Sequence, residues 1–165
     1  MDPSKILMGK RVLIVDDERD ILETLTDLLD LCKIDRASSF EAAVKLLEQY
    51  EYDLAVLDIM GVKGFDLLEI AKKRNIPALM LTAHSLNAES LAKSVKQGAA
   101  YFVPKQNIAQ IATYAADVLE AKEHNKSPWA RWFERLGGFF DVMFTGPNWR
   151  QQEKDLLEKL KRAGY

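Results

Sequence analysis

"LIVDDE" at residues 13–18 and "AVLDIM" at residues 55–60 share a pattern. In each, a short apolar run ends abruptly on acid: Asp16, Asp17 and Glu18 in the first, Asp58 in the second. Such runs are too short for helices and suit strands buried on both faces. Working outward, "RVLIV" (11–15), "DLAVL" (53–57), "ALMLT" (78–82) and "YFV" (101–103) have the same character, and "IDRAS" (34–38) is a weaker fifth. Between them, apolar residues recur at three- and four-residue spacing. Ile21, Leu22, Leu25, Leu28 and Leu29 do so, as do Ala42, Ala43, Leu46 and Leu47, and the stretches 65–74, 86–97 and 107–122 repeat the theme. Strand and helix alternating five times predict an α/β domain with a parallel sheet and right-handed crossovers.

Parallel strands all point one way, so their last residues gather on one edge, where open α/β sheets bind ligands. Asp16, Asp17 and Asp58 are therefore expected to converge. Three carboxylates that close repel one another or share protons unless a cation joins them. Oxygen-only ligation without His or Cys suits a hard ion, Mg²⁺ before Ca²⁺ or Zn²⁺. The competing reading is a helix cap, with Asp16 or Asp17 at the N-terminus of the helix that starts near residue 18. The fourth strand ends at Thr82 and the fifth leads to Lys105, adding a hydroxyl and an ammonium to the same edge. That set can neutralise phosphoryl oxygens, with Asp58 as the nucleophile that accepts the group.

The 165 residues have room for a full domain and an appendage. A net charge of -2 gives no electrostatic case for nucleic acid, and a lone cysteine, Cys32, excludes an internal disulfide framework. The start, "MDPSKILMGK", has no apolar core or cleavage signal, and no stretch reaches the length of a spanning helix. A cytoplasmic protein is expected.

"VDDE" (15–18) after the first strand, Asp58 after the third, "TA" (82–83) after the fourth and "GAAYFVPK" (98–105) resemble the receiver domain of bacterial response regulators over residues 10–122. The resemblance implies a flavodoxin-like doubly wound sheet of strand order 2-1-3-4-5. It implies Asp58 as phospho-acceptor and Asp16 and Asp17 as Mg²⁺ ligands, directly or through water, with Asp58 and the Met60 carbonyl completing the metal shell. Thr82 would bind the phosphoryl group and Lys105 pair with it. The switch aromatic that answers Thr82 is Phe102, with Tyr101 as competitor, and it would repack the face of the fourth helix, fifth strand and fifth helix of that family. The donor would be a histidine kinase or phosphotransfer protein in phosphorelay signal transduction.

The chain also departs from that family. The stretch "DIMGVKGFD" (58–66) lacks the usual proline and acid after the acceptor and runs about two residues short. Pro104 precedes Lys105, where the family has proline after it. His84 stands where the family tunes dephosphorylation.

A polar linker, "EHNKS" (123–127), leads into an extension at 128–165 that holds seven of the chain's 15 aromatic residues between Trp129 and Trp149. Ser127 followed by Pro128 reads as a helix start. Trp129, Trp132, Leu136, Phe139 and Met143 form a stripe that Phe133 and Phe140 widen. Gly137-Gly138 is where that helix would break or kink. Asn148 and Gln151 resemble the cap of a last helix bearing Leu156, Leu157 and Leu160. The stripe would fold back on its own domain, pair with a second copy, or meet an output protein. Membrane contact is disfavoured by Gly137-Gly138 and Asp141, and no recognition helix with a basic patch points to DNA.

Three functions fit. A stand-alone phospho-switch that signals by protein contact leads. The second is a degenerate receiver that acts as a scaffold through its tail. The third, a Mg²⁺-dependent aspartyl-phosphate phosphohydrolase, usually needs an acid two residues past its nucleophile, where this chain has Met60. No external substrate is expected.

Overall fold

A computed structural model describes the backbone of residues 2–83 and 88–143, and their side chains apart from those of residues 88 and 139–143. The five expected strands form at β1 (Arg11–Val15), β2 (Lys33–Ala37), β3 (Leu54–Asp58), β4 (Ala78–Thr82) and β5 (Tyr101–Pro104). They pair in parallel in the order β2-β1-β3-β4-β5, as the family resemblance implies. β3 and β4 are buried at every residue, which their uninterrupted apolar sequences require. β2 is a half-exposed end strand, which explains its weak signal.

Helices α2 (Arg19–Leu28), α3 (Phe40–Gln49), α4 (Gly64–Lys73), α5 (Ala88–Lys96) and α6 (Ile111–Glu123) link or follow the strands. Ser39 caps α3 by accepting the Ala42 amide at 3.2 Å. The expected helix over 107–122 divides: residues Lys105–Gln110 wind as a 3-10 helix before α6 begins.

Two further helices flank this unit. α1 (Pro3–Leu7) carries no sequence signal long enough to call, yet Ile6 and Leu7 are buried in the main core. It starts on Asp2, whose carboxylate accepts the Ser4 amide, and ends at the cap residue Met8, after which Gly9 turns the chain with a φ of 74° that favours glycine. α7 (Trp129–Met143) begins where Ser127 and Pro128 predict, with the Ser127 hydroxyl accepting the Trp129 amide at 3.3 Å. It does not break at Gly137-Gly138. Two helical glycines cost about 2 kcal/mol relative to alanine. Burial of Trp129, Trp132 and Leu136, each at most 3% exposed, exceeds that cost.

Those three side chains belong to the same hydrophobic core as the sheet, with Phe133 packed half-buried beside them. The described part of the stripe thus folds back on its own domain. Phe139, Phe140 and Met143 lie on α7, but their side chains fall outside the described residues. So do His84 and the expected last helix at Asn148 and Gln151.

Candidate functional site

The carboxyl ends of β1, β3, β4 and β5 deliver the site. Asp16 follows β1 and is fully buried, Asp58 ends β3 at 4% exposure, and Thr82 ends β4 at 3%. Asp58 pairs in register with Leu81, and Thr82 pairs with Pro104, immediately before Lys105.

Lys105 joins the edge together. Its Nζ lies 2.9 Å from Asp16 Oδ2, 3.3 Å from Glu18 Oε1 and 3.4 Å from Asp58 Oδ1. Having Pro104 before it does not keep it from Asp58. Desolvation pulls the Lys105 pKa down, but the bond to Asp16 and the charges of Asp16, Asp58 and Glu18 outweigh it and leave the ammonium held above its usual value. Burial pushes the Asp58 carboxyl up and Asp17 adds to this, while Lys105 and the Gly61 amide oppose it. Burial likewise raises Asp16, against the Glu18 amide and Lys105.

Asp16 is not the cap of α2: Glu18 holds the N-cap position and makes no side-chain cap bond, while Asp16 braces the turn before the helix. Asp16 Oδ1 accepts the Glu18 amide at 2.8 Å, ahead of α2. Its other oxygen, Oδ2, is buried and has no aligned hydrogen-bond donor, although the Lys105 ammonium is near enough for an ion pair. One carboxylate therefore both orders the turn before α2 and keeps an oxygen for a cation.

Carboxylate oxygens of Asp16, Asp17 and Glu18 come within 4.8 Å of one another. A buried oxygen whose near neighbour is the Lys105 ammonium, within an all-oxygen donor set, fits Mg²⁺. Asp58 reaches this trio through Lys105. Glu18 is the member that sequence reasoning left out of the site, and its signal was its place as the third acid of "DDE".

The loop after Asp58 is a run of turns from Ile59 to Lys63, in which Met60 is 75% exposed. Gly61 donates its amide to Asp58 Oδ2 at 3.2 Å. A Cβ on Gly61 would sit 2.3 Å from the Asp17 carboxylate, and one on Gly64 would sit 2.2 Å from the Asp58 carbonyl oxygen. The loop thus brings bare backbone against both acids, and Lys63 turns it into α4 through a left-handed φ of 54°. The sequence marked this stretch as a departure; Gly61 and Gly64 give it a steric reason.

Tyr101 and Phe102 are both fully enclosed. The Tyr101 hydroxyl donates to Asp117 Oδ2 at 2.9 Å, and its ring stacks on Tyr114 with centroids 5.5 Å apart. The Phe102 carbonyl accepts the indole N–H of Trp132 at 2.7 Å.

The response regulator receiver domain family matches residues 12–116. Among curated relatives, the two-component response regulator ARR18 of Arabidopsis thaliana is 35% identical over 107 residues, 61% of this chain and 17% of that protein. The heme response regulator HssR of Staphylococcus aureus (strain Newman) is 45% identical over 76 residues, 43% of this chain and 34% of that protein. The chain thus spans about a third of these relatives' lengths at most. A CheY-like receiver domain protein from Methanospirillum hungatei JF-1 superposes with a TM-score of 0.59 at 24% identity, covering 69% of this chain and 98% of that one, a likeness of fold. NtrX from Brucella abortus gives 0.62 at 27% identity over 70% of this chain and 28% of that one. No helix among the described residues is long and apolar enough to cross a membrane.

Proposed function

Because the chain belongs to the response regulator receiver domain family, we propose that it accepts a phosphoryl group on Asp58 and passes the signal on by protein contact. The donor is a phosphohistidine on a histidine kinase or phosphotransfer protein. An Asp58 carboxylate oxygen attacks phosphorus, the P–N bond breaks, and the imidazole nitrogen leaves with the electron pair. The product is an acyl phosphate.

The observation that carries this reading is Lys105, with its ammonium between Asp16, Glu18 and Asp58. On transfer it can turn from carboxylates to phosphoryl oxygens without crossing the site. Thr82 offers its hydroxyl from the adjacent strand end. Asp16 and Asp17, with Glu18 beside them and the Met60 carbonyl in the neighbouring turn, would hold Mg²⁺. When bound, that ion supplies positive charge to offset the incoming phosphoryl oxygens. No turnover of an external substrate is part of this reading, and the cytoplasm is where such a donor would meet it.

The test is loading with beryllofluoride, a phosphoryl mimic, in Mg²⁺. The wild type should gain thermal stability, and Asp58→Asn should not. A wild type that gives no response would overturn the reading in favour of a phosphorylation-independent scaffold.

A further inference from the structure

At the amino ends of β4 and β5, the edge of the sheet opposite Asp58, lies a cavity of about 350 Å³. The end of α4, the approaches to β4 and β5, the last turn of α6 and the linker into α7 all line it. Ile76, Val118 and Trp129, each buried, supply an apolar lining together with Pro77 and Pro128. The Trp129 indole N–H is donated to the Ala99 carbonyl at 3.2 Å, so its ring offers the cavity no donor.

The charged part of the lining has one sign. Lys72, Lys122 and Lys126 border the cavity and no carboxylate does. Among the described residues, none of these three lysines makes an ion pair. Two of them are held in place. Lys122 donates to the Asn75 carbonyl, tying the last turn of α6 to the end of α4. Lys72 lies across Gly98, with its ammonium 3.1 Å from where a Cβ would stand. Side chains already held lose less freedom when a ligand arrives.

Helix ends explain part of this gathering. Lys72 and Lys122 sit in the last turns of α4 and α6, where the helix dipole favours cations. Each such end carries about half a negative charge, so the two offset about one ammonium of the three. An excess of about two positive charges is left beside an apolar lining.

We propose that this cavity binds a small soluble phosphate monoester bearing a flat ring, of about the size of a nucleoside monophosphate. A monoester carries about two negative charges at neutral pH, which matches the excess. The volume falls at the small end of the range for ligand pockets. The apolar lining favours a ring over a sugar or a bare ion. Once filled, the site joins α4 and α6 to the linker that leads into α7. It lies apart from Asp58 and does not depend on phosphoryl transfer there.

Calorimetric titration of the full chain with adenosine monophosphate, without Mg²⁺, tests this beside glucose 6-phosphate and inorganic phosphate. One nucleotide should bind per chain, and more tightly than either of the others. The double variant Lys122→Gln, Lys126→Gln should weaken it about fivefold or more. Both lysines are exposed, so the core is untouched. Lys73→Gln, an exposed lysine of α4 that does not line the cavity, should bind as the wild type does. Absence of saturable binding at millimolar nucleotide would overturn the proposal. So would an unchanged affinity in the double variant, or an equal loss in Lys73→Gln, the mark of diffuse surface charge. Inorganic phosphate binding as tightly as the nucleotide would overturn the ring-bearing ester. Retention on vesicles containing phosphatidic acid, without binding of the free nucleotide, would overturn the soluble ligand in favour of a lipid headgroup.

Discussion

Lys105 Nζ lies 2.9 Å from Asp16 Oδ2, and that oxygen has no aligned hydrogen-bond donor. The ammonium thus holds in place an oxygen that remains available to a divalent ion. Replacing Lys105 with methionine keeps the stem and removes the charge. It should leave Asp16, Glu18 and Asp58 mutually repelling, tighten Mg²⁺ binding, and weaken beryllofluoride capture at least tenfold. Mg²⁺ titration by calorimetry, followed by beryllofluoride titration, would separate the two effects.

Asp58→Asn removes a charge that burial disfavours. A carboxyl whose folded pKa lies above its unfolded value binds protons more readily when folded, so its contribution to stability falls as pH rises through that range. At neutral pH and without Mg²⁺, the variant should therefore be more stable than the wild type. Urea unfolding with and without Mg²⁺ checks this, and the difference should shrink when the ion is present.

Gly61→Ala places a methyl group 2.3 Å from the Asp17 carboxylate. The carboxylate must move, so Mg²⁺ affinity should drop several-fold. Gly138→Ala is a suitable comparison, since nothing lies within 4 Å of a Cβ there. That change should stabilise α7 slightly, by about 1 kcal/mol.

Trp132→Ala empties a fully enclosed site and should cost about 3–5 kcal/mol. Trp132→Phe keeps most of the apolar volume but leaves the Phe102 carbonyl without its indole donor at 2.7 Å. It should cost less, about 1–3 kcal/mol. Urea midpoints of the two variants measure the division between packing and hydrogen bonding.

The Cys32 thiol is pushed up to about 11 by burial first, and then by the charges of Asp30 and Asp53. Since the thiolate is the reactive form, alkylation by iodoacetamide should be slow at pH 8 and rise toward pH 11. The neutral thiol is favoured by folding, so its contribution is retained below the unfolded value near 9 and lost as pH rises through 11.

The sheet was legible because parallel strands buried on both faces leave dense apolar runs, and their shared polarity places Asp16, Asp58, Thr82 and Lys105 on one edge. Glu18 was harder to read, since an exposed acid at a helix start looks like a solvated cap until Lys105 is seen 3.3 Å away. Gly61 was visible as a departure, but its contact with Asp17 depends on a loop path that no local pattern encodes. Trp129, Trp132 and Leu136 announced a buried stripe; the carbonyls of Ala99 and Phe102 that the two indoles bond are some thirty residues away and carry no reciprocal signal. α1 escaped notice because five residues are too few to set up a periodic pattern.

The two end strands of the sheet are guarded by different means. β2 carries Lys33, Asp35 and Arg36 and pairs Asp35 with Arg11 at 3.2 Å, a charged border unwelcoming to another strand. β5 has almost no charge of its own and is shielded by the helix laid against it. Any event that lifts α7 therefore exposes the one border of the sheet that has no charge to repel a neighbouring strand. Release of this helix would thus carry a hazard of self-association.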